Sequence, residues 1–412
     1  MSRTTTVILG GGPGGISAAN NLRRLLPVAH EIVIVDKSPR FHVGAGKTWI
    51  MLGERTARDI SVLRQNLIAP GIRFVQERVL RIDPSNRTVA LERETLKWDY
   101  LVIALGASLN MDAVPGLAGA AYTFYTLEGA ERLATVLEKF TGGDIAILIP
   151  KAPFKCPPAP YEAAMLIHDA FARRNLTDKV RIAVHTVEGA PMATAGPEIG
   201  EYIKQELAQR GIGFNPQRKT VGVDAALKRI IFEDGSKARY DLLIAIPPHE
   251  APKIVSDAQL TNASGWIPVD PLTLRVTAAR TPTTDTTAPT AADTSAPGTG
   301  DIYAVGDNTS VPLPGRFKPD MPLALPKAGV FAEAQGRIVA HQISAGILSQ
   351  TPSETFDGKG FCFVELGAHR AVRAEGAFFE MPNPKMSKRT PDEAQYQEKQ
   401  DWVASLLKPA TA

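Results

Sequence analysis

The turn Gly10-Gly11-Gly12-Pro13-Gly14-Gly15 limits this chain more than any other stretch. An apolar run at residues 6–9 precedes it and reads as a strand, and residues 16–26 behind it read as a helix. The spacing Gly10-x-Gly12-x-x-Gly15 lets the backbone turn tightly and approach a pyrophosphate seated on the helix N-terminus. A second apolar run, residues 32–35, ends in Asp36, where an acid can accept hydrogen bonds from a ribose. A glycine-rich surface turn would explain the spacing but not the flanking strands and the acid. The expected architecture is therefore α/β, with Gly10, Gly12, Pro13, Gly14, Gly15, Asp36 and the adjoining Lys37 as candidate nucleotide contacts.

Two later stretches extend this unit. Residues 98–106 form an apolar run closed by Gly106, and residues 301–308 form another that closes on Gly306-Asp307-Asn308. Either alone reads as an ordinary buried strand. Pro326-Lys327-Ala328-Gly329-Val330 then opens a predicted helix running to about residue 343. Its positive end, with Lys327 in the first turn, is placed to stabilise an anion, although a solvated lysine explains that residue equally well.

Between them, residues 127–248 read as a second α/β unit, with helices at 128–139, 161–174 and 198–210 and strands at 145–149, 180–184 and 240–246. Its first strand-to-helix turn should carry glycines if it held a pyridine nucleotide. It carries Pro150-Lys151-Ala152-Pro153-Phe154-Lys155-Cys156 instead. Proline has no amide hydrogen to offer a phosphate, and side chains block close approach. The second strand leads into His185-Thr186-Val187-Glu188, without a cation for a 2′-phosphate. These features argue against a pyridine nucleotide in this unit. Glu162 falls in the first turn of the helix after Cys156 and is a candidate general base; an exposed helix glutamate is the competing reading.

Composition excludes several classes. The chain has 412 residues, 44% hydrophobic and 22% charged, with net charge +3, too weak a balance to argue for nucleic acid. Two cysteines make neither a disulfide scaffold nor a zinc pattern, and no metal site is expected. With no secretory signal and no apolar run near the ~18 residues of a membrane span, the expected compartment is cytoplasmic. Residues 281–300, rich in Thr, Pro, Ala and Asp, are expected to be a disordered insertion. Near the C-terminus, residues 361–366 alternate like a strand and contain Cys362. In the tail, Trp402, Val403, Leu406 and Leu407 share one helical face, flanked by Glu398, Lys399, Asp401 and Lys408. That face suits a membrane surface, a dimer contact or a cap on the core.

The run Lys155-Cys156-Pro157-Pro158-Ala159-Pro160-Tyr161-Glu162 resembles sulfide:quinone oxidoreductases and the flavoprotein subunit of flavocytochrome c sulfide dehydrogenase. Ile246-Pro247-Pro248-His249, Gly306-Asp307-Asn308, Lys327-Ala328-Gly329 and Phe361-Cys362 resemble the same family. The resemblance implies a glutathione-reductase-like fold of two Rossmann-like dinucleotide-binding domains, the second inserted in the first. Residues 1–126 and 249–345 would bind FAD, 127–248 would form the second domain, and 346–412 a small C-terminal segment. It adds Val79, Ala104, Gly106, Gly306, Asp307 and Lys327 to the cofactor contacts, and it makes Cys156 and Cys362 a redox-active disulfide over the flavin. Cys156, Cys362, Glu162 and Lys327 are then the catalytic candidates. Sulfide would be oxidised to sulfane sulfur and a quinone reduced. The third cysteine of many such quinone reductases is missing from residues 116–127, and no cysteine follows the second strand, so FAD is expected to be non-covalent. Alternatives left open are a flavoprotein subunit donating to a cytochrome and an NADH-dependent flavoprotein reductase. The resemblance also leaves open attachment to the inner face of the cell membrane and homo-oligomer formation.

Overall fold

The computed structural model describes residues 3–277 and 301–410; the expected insertion at 281–300 lies outside the described residues. A five-stranded parallel sheet is ordered Ile302–Ala304, Tyr100–Ile103, Thr5–Leu9, Glu31–Val35 and Arg73–Val75. Val7 stands between Val33 and Leu101 in the register. Its central residues are buried because a parallel sheet is covered on both faces. The helix Pro13–Leu25 starts at the proline, three residues before the expected point. Proline suits a first helical turn because the amide it lacks would be unpaired there.

A second parallel sheet is ordered Gly213–Asn215, Val180–Thr186, Gly143–Ile149 and Leu242–Ala245, with helices Leu127–Lys139, Ala159–Arg173 and Pro197–Ala208. Each sheet is accompanied by a three-stranded antiparallel ribbon, within residues 79–97 and 220–239 respectively. The chain thus contains two Rossmann-like units, the second inserted between strands of the first.

The remaining chain joins both units. The helix Gly329–Leu348 packs on Pro13–Leu25 so closely that a Cβ on Gly336 would lie 2.2 Å from the Gly14 carbonyl oxygen. The antiparallel strands Lys359–Gly367, Arg370–Ala377 and Lys385–Lys388 follow, then the tail helix Glu393–Ser405. Asp392 caps that helix by accepting from the Gln395 amide at 2.8 Å. Its apolar face turns inward: Val403 is buried, and the Trp402 ring lies 5.7 Å from Phe361 and 6.0 Å from Phe363. Of the three uses expected for this face, capping the core is the one its contacts show. No described helix is long and apolar enough to cross a membrane.

Gly336→Ala should lower the thermal unfolding midpoint by the equivalent of about 1–3 kcal/mol, because the added methyl meets backbone that cannot yield. An unchanged midpoint in differential scanning calorimetry would mean that the two helices do not approach this closely.

Candidate active site

The glycines of the first turn divide by what they face. A Cβ on Gly10, whose φ is +99°, would lie 2.3 Å from the Ala104 carbonyl oxygen, and one on Gly15 would lie 1.9 Å from that of Gly10. These two positions let the turn pack. A Cβ on Gly12 would meet nothing within 4 Å, so its backbone is open to a ligand. Asp36 turns back on the loop: it accepts from the Gly11 and Ser38 amides, both at 2.8 Å, and faces Arg64 at 3.4 Å. Arg64, which the sequence did not single out, is buried and also donates to the carbonyls of Gly11, Ser38 and Arg40. Lys37 is exposed, and Val79 packs against the core beneath the first sheet.

Asn308 ties the two later motifs together. It accepts from the Gly106 amide at 3.2 Å and donates to the carbonyls of Ile103 and Val305. Ala104, Gly106 and Gly306 are thereby held beside Asp307, which lines a cavity of about 600 Å³. One carboxylate oxygen of Asp307 is buried without a partner, and burial raises its pKa. Pro13, the open amide end of the helix at Gly329, Cys156 and Cys362 line the same cavity. An unpartnered acceptor, an open glycine turn and a helix N-terminus fit a dinucleotide cofactor such as FAD.

Cys156 sits in left-handed backbone with φ +54°, a conformation costing about 1–3 kcal/mol outside glycine. Three contacts hold it there. Its amide donates to the Lys327 carbonyl at 2.8 Å, its carbonyl accepts from the Ala159 amide at 3.0 Å, and the Tyr125 hydroxyl donates to the Lys155 carbonyl at 3.0 Å. Cys362 comes from the strand Lys359–Gly367. Both are free thiols pushed up to about 12, Cys156 by burial and the Glu162 carboxylate and Cys362 by burial, Cys156 and Glu162, with Lys399 opposing in both.

Glu162 is not an exposed helix residue. It is 3% exposed, and its Oε1 accepts from Lys399 at 2.7 Å and from the Glu365 amide at 2.9 Å. Lys399 also reaches Glu365 at 2.6 Å, and Trp49 donates its indole N–H to the same Glu365 oxygen at 2.8 Å. Lys399, expected as a flanking charge of the tail, is thus buried at the site. Its position three and four residues before Trp402 and Val403 was the available signal, since it shares their helical face.

Lys327 corrects an expectation. The helix begins at Gly329, so Lys327 precedes its first turn. Its Nζ donates to the carbonyls of Asp307 at 2.8 Å and Thr309 at 2.9 Å and stands 3.5 Å from the Trp266 ring centroid. Burial lowers its pKa to about 8. The charge is spent on the Asp307 loop rather than aimed into the cavity. In the second unit, the Tyr161 hydroxyl donates to Glu188 at 2.7 Å, joining the start of the helix to the end of the second strand. Lys47 and Tyr125, also missed from sequence, line the cavity.

The profile of the pyridine nucleotide-disulphide oxidoreductase family matches residues 4–320. The chain is 23% identical over 395 residues to the mitochondrial sulfide:quinone oxidoreductase of Mus musculus, covering 91% of this chain and 78% of that protein. It is 26% identical to the sulfide-quinone reductase of Aquifex aeolicus, covering 88% and 81%. The solved structure of the sulfide:quinone oxidoreductase from Aquifex aeolicus superposes with a TM-score of 0.81 at 21% identity, over 98% of this chain and 90% of that one. That similarity agrees with the two-unit fold.

Lys399→Met should destabilise the protein by about 3–5 kcal/mol, because it leaves two carboxylates buried without a cation. Adding Glu162→Gln and Glu365→Gln should restore much of the loss. Urea denaturation of the single and triple variants checks this.

Proposed function

We propose, for a chain that belongs to the pyridine nucleotide-disulphide oxidoreductase family, that it is an FAD-dependent oxidoreductase which oxidises sulfide to sulfane sulfur and passes the electrons to a quinone. The observation that carries this reading is the placing of Cys156 and Cys362 on the wall of one cavity with Pro13, Asp307 and Gly329. In this reading residues 1–126 and 249–345 hold FAD, and residues 127–248 and 346–412 each supply one cysteine.

In the working state the two sulfurs form a disulfide. HS⁻ attacks one of them, a new S–S bond forms, and the old bond breaks with its electron pair left on the other cysteine as thiolate. A buried thiolate needs compensation, since burial holds both thiols near 12. Lys399 favours the ionised form of both cysteines, and Lys47 and the Ala159 amide favour that of Cys156. Bound FAD would take up this electron pair and hand it to the acceptor. Asp307 and the glycine turn would bind the cofactor without a covalent link, while Phe361, Phe363 and Trp402 keep water from the cavity wall.

The acceptor side of the cavity is apolar, with Trp402, Leu406, Phe378 and Met386, which suits a quinone ring and its tail. A quinone substrate would bring the protein to a membrane surface; no described helix is long and apolar enough to cross one. An NADH-dependent reductase is less well supported. The turn of the second unit presents prolines, and the Tyr161–Glu188 hydrogen bond links its helix to its second strand.

Under anaerobic conditions sulfide should bleach the flavin of the purified protein, NADH should not, and a short-chain quinone should restore the colour. Cys156→Ser should slow bleaching by sulfide at least about 10³-fold, as expected when a covalent step is removed. Bleaching by NADH alone would overturn the reading, and recovery of colour only with an added cytochrome would transfer the acceptor role from quinone to protein.

A further inference from the structure

Lys47 opens the short helix Lys47–Met51 and lines the cavity that holds both cysteines. Its Nζ donates to the Tyr125 carbonyl at 2.7 Å, and among the described residues it makes no ion pair. The hydroxyl of the same Tyr125 holds the Lys155–Cys156 turn. Lys47 is therefore an amine without an ion pair on the wall of the cavity that Cys156 also lines, close enough to interact with that thiol. The neighbouring titratable groups include Lys155 and Cys156 from the turn, Glu128 from the helix Leu127–Lys139, Asp307 from the loop after Gly306, His42 from the strand Arg40–His42, and His249 after Pro247-Pro248. Burial and Lys155 lower its pKa to about 7, against the opposing pull of Cys156, Glu128 and Asp307. The neutral amine is then populated near neutrality, where H₂S also ionises.

Several other basic groups at the site are already engaged or buried. The Oε1 of Glu162 already accepts two hydrogen bonds, and Lys399 is paired with two carboxylates. Lys327 serves the Asp307 and Thr309 carbonyls. His249 is buried, and burial together with Lys155 lowers its pKa to about 3.

We propose that Lys47 accepts the proton of incoming H₂S, so that HS⁻ is formed next to the Cys156–Cys362 disulfide. This rests on the sulfide reading above and names its base. The neutral amine of Lys47 takes one proton from H₂S, giving its ammonium and HS⁻. The sulfur of HS⁻ bonds to one cysteine sulfur as the disulfide breaks, and the electron pair stays on the other as thiolate. Sulfide is oxidised and the disulfide reduced, with the new ammonium offsetting the new thiolate.

The test is stopped-flow bleaching of the holoenzyme by sulfide, without oxygen, across pH. Lys47→Met and Lys47→Arg should both be slowed about 10-fold near pH 6, where about a tenth of the sulfide is already HS⁻, with the gap closing above about pH 8 where HS⁻ is supplied directly. Arginine keeps the charge but cannot accept the proton, so restoration of the rate by Lys47→Arg alone would overturn the proposal in favour of a static charge. Variants matching the unmodified protein at every pH would overturn it too. Flavin content is read from the visible spectrum of each sample, and Lys47→Gln replaces Lys47→Met if that spectrum is lost. Failure of the unmodified protein to bleach with sulfide at any pH would instead remove the sulfide reading itself.

Discussion

The ammonium of Lys399 between Glu162 and Glu365 joins three parts of the chain that carry the site. Glu162 belongs to the helix behind Cys156, Glu365 to the strand of Cys362, and Lys399 to the tail helix. Taking three charges out of water is costly, and the arrangement persists only because the remaining polar atoms are also met. The Glu365 amide and the Trp49 indole supply those contacts. Two carboxylates share one cation, and burial raises the pKa of Glu162 in response. The same negative charge raises both thiols, so the group that assembles the site also sets its electrostatics.

The two Rossmann-like units show how one topology takes two kinds of turn. In the first, Gly10 and Gly15 allow backbone to touch backbone, and Gly12 leaves space above it. In the second, the equivalent turn holds a cysteine in left-handed backbone, fixed by the Lys327 carbonyl and the Tyr125 hydroxyl. One turn leaves open space above Gly12, and the other brings a thiol to the cavity wall. Lys327 joins the cysteine turn to the Asp307 loop, through its carbonyl at Cys156 and its ammonium at the Asp307 carbonyl. Pro13 of the first turn and Cys156 of the second line one cavity.

The C-terminal segment completes this cavity rather than standing apart from it. Cys362, Trp402 and Leu406 all line it, and the aromatic contacts among Phe361, Phe363 and Trp402 fix the tail helix against the strand. Trp402 of the apolar wall and the buried cation Lys399 come from the same helix. Its amphipathic pattern therefore answers to the protein's own interior.

Much of the fold was legible in the sequence, because it depends on short-range chemistry. Apolar runs of strand length, glycines at a fixed spacing, and proline at a helix start act within a few residues. The paired strands Thr5–Leu9 and Glu31–Val35, and the glycine turn between them, follow from such local rules. Cys156 and Cys362 were also legible as candidates, through the proline turn and the resemblance it carries, and the fold brings both to one cavity. The surroundings of the site were not. Lys399 reads as a surface charge until the fold brings it to Glu162 and Glu365, and Lys47 reads as any lysine until Tyr125 and Cys156 close over it. Lys327 was legible as a cation near the cofactor motif, but its direction was decided by Asp307, Thr309 and Trp266. Backbone periodicity is a local property that residues carry with them. The charge state and aim of a buried side chain depend on which distant groups replace its water, and only tertiary structure decides those.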